Sequence, residues 1–197
     1  VYKRQLCLQL AEGKDVAGVG VGCPGTVDGG TVLYSNNLDW HDFAMEEYLA
    51  QKTGLPVAVG NDANVAALGE QWRGGGRGFD NIVMVTLGTG VGGGVILGGK
   101  ILTGTKGAAG EIGHMTVEYD EEETCNCGTK GCLEQYASAT GIVRLAKKQM
   151  VETSSLAKID NLTAKDVFDE AKAGDAYALQ IVDRFARYLG VALGNVA

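Results

Sequence analysis

The chain has 197 residues, 45% hydrophobic and 21% charged, enough apolar mass for a core in one domain or two small lobes. Its net charge of −7, with no basic stripe or polybasic run, excludes nucleic acid as a partner of this segment. No apolar run reaches membrane-spanning length and no secretory leader is read, so a cytoplasmic setting without membrane contact is expected.

Thirty-one glycines against two prolines are the compositional skew, and they sit in clusters, as tight turns near a ligand require. Residues 1–13 have helical spacing (Leu6, Leu10, Ala11) closed by Gly13. Residues 16–23 are apolar and β-branched and read as a buried strand running into the Pro24-Gly25 turn. A short strand at 31–34 leads to a polar loop over 35–41, where Asn37 is either a ligand contact or a turn former. Residues 43–53 predict an amphipathic helix closed by Gly54, and 56–60 the next strand.

Asn61-Asp62-Ala63-Asn64 then opens a helix to Trp72. Asp62 has two readings: a helix cap, or a ligand-facing carboxylate just past the end of a parallel-type strand. The glycine-rich 74–78 stretch reads as a mobile joint between two α/β lobes, 1–75 and 76–197.

Residues 82–87 form a strand, Gly88-Thr-Gly-Val-Gly-Gly-Gly94 a loop, 95–97 a returning strand, and Gly98-Gly99 a turn. A Gly-x-Gly-x-x-Gly string followed by a strand instead of a helix is not the dinucleotide-binding fingerprint. It is either a hairpin whose N–H groups and Thr89 hydroxyl hold a phosphate, or a glycine hairpin without a ligand.

The next stretch runs from Glu111-Ile-Gly-His114 to Cys125-Asn-Cys127 and Cys132-Leu-Glu134. One histidine and three cysteines supply the four ligands of a closed, structural zinc site, with no open position for a catalytic water. The alternative is a disulfide or idle thiols, but Cys-x-Cys is too close for easy bridging and three cysteines leave one over. The acidic run at 120–123 reads as a solvated loop. A helix over 133–149 with a break near Gly141, a capping box at Thr163–Asp166 opening a helix to 173, and a helix over 175–196 complete the chain. Leu179, Val182, Phe185, Ala186 and Leu189 form the core face of the last.

Together these pieces fit phosphoryl transfer to a hydroxyl, with Asp62 as the base and Glu111, His114 and Glu134 bonding vicinal hydroxyls of a sugar. His114 is expected to put one ring nitrogen on zinc and the other toward the sugar.

In order and spacing, Asn61-Asp62-Ala63-Asn64, Leu87-Gly-Thr-Gly-Val-Gly-Gly-Gly94, Glu111-Ile-Gly-His114 and Cys125-x-Cys127-Gly-x-x-Gly-Cys132-x-Glu134 resemble the ROK family of bacterial repressors and sugar kinases. The residues from Val21 to Asp28 and from Tyr34 to Leu38 are most similar to its glucokinase branch. The resemblance implies an actin-like ATPase (ribonuclease H-like) α/β fold, ATP with Mg2+, and phosphorylation of glucose or a related hexose at the 6-hydroxyl. It implies sugar contacts from Asn37, Asn61, Asp62, Glu111, His114 and Glu134 and zinc on His114, Cys125, Cys127 and Cys132. Gly88, Thr89, Gly90, Val91 and Gly92 correspond to the second phosphate loop, and a homo-oligomer, dimer or tetramer, is implied. Compared with the family pattern, the chain is expected to begin after the first phosphate loop and to stop before the adenosine segment. Two other readings stand beside the kinase: a sugar-sensing regulator of the same family, and a zinc-braced module that only binds partners.

Overall fold

The computed structural model describes Gln5, Gln9, residues 12–35 and residues 38–196. The helix expected over 1–13 lies largely outside them. The chain divides into two compact units, Val1–Met84 with Gly94–Gly110, and Val85–Gly93 with Glu111–Ala197.

In the first unit, β1 (Val19–Cys23) is followed by β2 (Thr26–Asp28), β3 (Thr31–Ser35), β4 (Trp40–Phe43), α1 (Met45–Thr53), β5 (Val57–Asn61) and α2 (Asp62–Arg73). β1 and β5 pair in parallel from Val19 beside Val57 to Cys23 beside Asn61. β2, β3 and β4 form an antiparallel meander. Cys23, Val27, Val32, Met45 and Leu49 are the buried core, with Val21, Trp40, Phe43, Val57 and Val59 packed on it.

The polar loop expected over 35–41 is therefore shorter. Trp40 and His41 already pair with Ser35 and Tyr34, because Trp40 and Phe43 close edge to face at 5.0 Å on the core. Asp39 and Asp42 accommodate the tight path with φ of 51° and 47°. Glycine seats α2 against the parallel pair: a Cβ on Gly22 or Gly60 would lie 3.0 or 2.7 Å from a methyl of Val65.

The 74–78 stretch is a hydrogen-bonded turn within the first unit. Gly74 and Gly76 donate to the Glu70 carbonyl, and Gly75 donates to the Glu70 carboxylate at 2.8 Å. Next come β6 (Ile82–Leu87), β7 (Val91–Leu97) and β8 (Lys100–Ile101), hydrogen-bonded in that order. β7 starts at Val91, so the loop shrinks to residues 88–90. Gly94 belongs to the strand, where a side chain would meet Ala67 at 2.6 Å and the Ala63 carbonyl at 2.9 Å.

The second unit carries α3 (Glu134–Ala137), α4 (Ala139–Lys148), α5 (Ala164–Lys172) and α6 (Ala176–Val196), with 3-10 turns at Ile112–His114 and Ser155–Lys158. Tyr136, Ile142, Leu145, Leu156, Val167 and Ile181 form its core. The Thr163–Asp166 capping box is present. The break between α3 and α4 falls at Ser138, which turns extended and caps α4 by accepting from Gly141 N at 2.9 Å. Gly141 permits the crossing, since a Cβ there would lie 2.6 Å from the Glu134 carbonyl. On α6 the buried face is rotated from the expected one: Tyr177, Ala178, Ile181 and Ala192 are buried, Val182 and Phe185 pack beside them, and Leu179 is 44% exposed.

The acidic run is not a solvated loop at its centre. The Glu121 side chain is 4% exposed. It accepts from Tyr136 Oη (2.6 Å), Arg144 Nη2 (3.0 Å), Lys148 Nζ (3.1 Å) and the amides of Glu122 and Glu123 (3.0 and 3.1 Å). Burial alone would raise its pKa, but these donors hold it well below the carboxylate range. Arg144 and Lys148 fall within the helix expected over 133–149, and their pairing with a carboxylate 23 and 27 positions earlier leaves no signal in spacing. With its folded-state pKa depressed, Glu121 contributes fully above its unfolded value of about 4.3, and that contribution is lost as pH falls below it. We expect Glu121→Gln to cost about 2–3 kcal/mol at neutral pH and to flatten the loss of stability below about pH 4, measured by urea unfolding across pH.

Candidate functional site

In the first unit the site residues sit where β5 passes into α2. Asn61 is the helix cap: its Oδ1 accepts from Asn64 N at 3.0 Å, and its Nδ2 donates to the Gly25 carbonyl at 3.0 Å. Gly25 holds that carbonyl in place at φ 100°, where a Cβ would lie 2.3 Å from the Tyr34 carbonyl. With Asn61 as the cap, Asp62 is not the capping residue. Asp62 opens the helix with an exposed carboxylate whose Oδ1 accepts from Ala63 N at 2.9 Å. Asn37 lies outside the described residues.

In the second unit three bonds anchor the 88–90 loop. Ala139 N donates to the Gly88 carbonyl at 2.8 Å, Thr140 Oγ1 to the Thr89 carbonyl at 2.8 Å, and Val91 N to Glu134 Oε2 at 3.0 Å. The peptides are trans, so each carbonyl points opposite to the next residue's N–H. Holding the Gly88 and Thr89 carbonyls against the start of α4 aims the Thr89 and Gly90 N–H groups away from it, as an anion nest requires. Gly88 N is spent on the Gly90 carbonyl at 3.0 Å, and Gly92 lies within β7. Of the five residues expected to hold phosphate, Thr89 and Gly90 are thus the ones with outward amides.

Ser138, Ala139 and Thr140, absent from the sequence-based set, present this loop. Only the Ser before Ala-Thr-Gly was a local cap signal; the bond between positions 140 and 89 leaves none.

His114, Cys125, Cys127 and Cys132 converge, their donor atoms all within 4.8 Å of one another. Cys127 and Cys132 sulfurs are 3.6 Å apart, and Cys125 Sγ is 3.8 Å from His114 Nδ1. Four donors around tetrahedral zinc, with Zn–S near 2.3 Å, stand about 3.5–3.8 Å apart, so the set fits that ion. The knuckle is shaped by Cys125 N on the Thr129 carbonyl at 2.7 Å and by Gly131, at φ 70°, whose Cβ would lie 1.7 Å from the Glu118 carbonyl. Burial pushes the Cys125 thiol up to about 12. Burial opposes ionisation of Cys127 too, but the Thr129 hydroxyl at 3.1 Å brings it down to about 7.

The second ring nitrogen of His114 stands 3.9 Å from Glu111 Oε2, with both side chains about one third exposed. Gly113 brings this turn against β7, since a Cβ there would lie 2.1 Å from the Val91 carbonyl. Glu111, His114 and Glu134 therefore all belong to the segment that closes on the 88–90 loop within the second unit.

The sequence model of the ROK family matches residues 5–197. A glucokinase of Halalkalibacterium halodurans is 51% identical over 191 residues, 93% of this chain and 58% of that protein. The crystal structure of a ROK family glucokinase from Streptomyces griseus in complex with glucose and AMPPNP superposes with a TM-score of 0.82 at 39% identity, over 98% of this chain and 66% of that one. A ROK family transcriptional regulator, homolog of the E. coli MLC protein, superposes with a TM-score of 0.86 at 31% identity, over 99% of this chain and 50% of that one. The chain spans about three fifths of the length of the glucokinases it matches, 58% for the first and 62% for that of Thermotoga maritima. The fold is the actin-like α/β fold of these structures.

For the cluster of His114 and the three cysteines, the expected result is one equivalent of zinc per chain by elemental analysis. Chelation, or Cys132→Ser, is expected to lower the unfolding midpoint, and a midpoint indifferent to both would show that no metal holds the knuckle.

Proposed function

The chain belongs to the ROK family, and from that membership we propose that the protein phosphorylates glucose or a related hexose at its 6-hydroxyl with ATP and Mg2+, Asp62 acting as general base. The observation that carries the reading is the division of labour at the start of α2: Asn61 takes the cap, and the Asp62 carboxylate stays exposed. The glucokinase likenesses supply the substrate class.

In this reading Asp62 accepts the hydroxyl proton as the oxygen bonds to the γ-phosphorus and the bond to the departing ADP breaks. The outward N–H groups of Thr89 and Gly90 hold a phosphate oxygen, with Gly88, Val91 and Gly92 shaping the loop around them. Glu111, His114 and Glu134 fix the ring hydroxyls, which suits a sugar because carboxylates and an imidazole pair with both faces of a hydroxyl. Asn61 keeps one amide hydrogen and one lone pair beyond its two backbone bonds for the same task. Asn37 is assigned to it from the family pattern. Mg2+ would neutralise the phosphate charge when ATP is bound. Zinc would be held by His114, Cys125, Cys127 and Cys132, where it supplies cross-linking of the knuckle that positions Glu111, His114 and Glu134. A homo-oligomer, dimer or tetramer, working in the cytoplasm belongs to the same proposal.

The likeness to a transcriptional regulator favours one second reading, a sugar sensor that binds without phosphorylating. The two separate on turnover. Sugar-dependent ADP release by the complete protein, across a panel of hexoses, is expected to be greatest with glucose and to fall about 100- to 10,000-fold in Asp62→Asn. Saturable hexose binding without any turnover would replace the kinase by the sensor.

A further inference from the structure

Gly90 lies in the loop assigned to phosphate, yet what its missing side chain leaves room for is a carboxylate. A Cβ there would lie 2.4 Å from Glu134 Oε2 and 3.3 Å from its carboxyl carbon, and, apart from Gly90 and its two chain neighbours, no other heavy atom among the described residues comes within 4 Å. Its φ is outside the left-handed region, so the backbone does not require glycine. The neighbouring Val91 amide donates to that same Oε2 at 3.0 Å. Glu134 is itself held from behind: its carbonyl accepts from Ser138 Oγ at 2.7 Å, and α3 starts two residues after the ligand Cys132.

We propose that Glu134 is a positioning residue that ties the 88–90 loop to the sugar-facing segment, and that Gly90 is a determinant of sugar affinity because it seats the Glu134 carboxylate. The inference rests on the kinase reading in taking Glu134 to face a hexose. One carboxylate oxygen takes the Val91 amide, and the other remains for a hydroxyl. A sugar that orients this carboxylate also fixes the start of β7, and with it the loop that presents the Thr89 and Gly90 amides. Order therefore passes from sugar to phosphate through one side chain. The coupling needs no movement of the backbone, only loss of freedom in the carboxylate.

The test uses the complete protein, glucose titrated without nucleotide, and hydrogen exchange at the Val91 amide. Gly90→Ala is expected to fold, since the atom displaced is the end of a flexible side chain. It is expected to weaken glucose about tenfold or more and to speed exchange at Val91. Glu134→Gln keeps an oxygen for the Val91 amide, so it is expected to weaken glucose yet preserve protection, whereas Glu134→Ala loses both. Glucose affinity unchanged in Gly90→Ala would overturn the assignment of Gly90. Val91 protection surviving in Glu134→Ala would overturn the tie. If the native protein bound no hexose, the kinase reading and the sugar role of Gly90 would fall together, and the exchange arm would still decide whether Glu134 holds the loop.

Discussion

The segment between His114 and Cys132 has almost no regular structure, and its order depends on cross-links. A loop of that length closes at an entropic cost that its own few backbone bonds do not offset. Two clasps of different chemistry do so. One is the four-donor knuckle of His114, Cys125, Cys127 and Cys132, which would act as a clasp with zinc bound. The other is Glu121, buried among Tyr136, Arg144, Lys148 and two amides. Gln135 links them, accepting from Cys132 N at 3.1 Å and donating to the Glu123 carbonyl at 2.9 Å. Between the two clasps the chain is delivered to Glu134 in a fixed place.

That placement reaches the 88–90 loop because close approaches replace side chains with space. Gly90, Gly113 and Gly141 each stand where a Cβ would collide with Glu134 or the strand that Glu134 holds. The abundance of glycine thus has more than one cause. Gly25 and Gly131 are required by positive φ together with a backbone neighbour, Gly94 by the helix packed on it, and Gly90 by a carboxylate. Composition alone suggested a single cause, approach to a ligand.

What the sequence made legible follows the range of the interactions. The capping box at Thr163, the strands at 16–23 and 56–60 and the Cys spacing were readable because each is encoded within a few residues or by a run of apolar positions. The expected roles of Asp62, Glu111, His114 and Glu134 rest on motif order, and the structure gives each a local setting. Two expectations failed for one physical reason, that a distant partner outvotes local composition. Glu121 looked solvated among acidic neighbours, but its cations lie on α4. Leu179 looked like core by periodicity, but the stripe that meets α4 and α5 is turned toward Ala178 and Ile181. The choice of Asn61 over Asp62 as the cap likewise turned on the Gly25 carbonyl, 36 positions away.

The anchoring of the Gly88 and Thr89 carbonyls has a consequence for how this surface can diverge. Because the trans peptide links each buried carbonyl to an outward N–H, the direction of those amides is written behind the loop, at residues 139 and 140, and not in the side chain of residue 89. Substitutions at Thr89 can accumulate without turning the amides, while one altered hydroxyl at Thr140 frees a peptide plane to rotate. Among divergent relatives, the helix start is the more telling place to read whether the recognition surface survives.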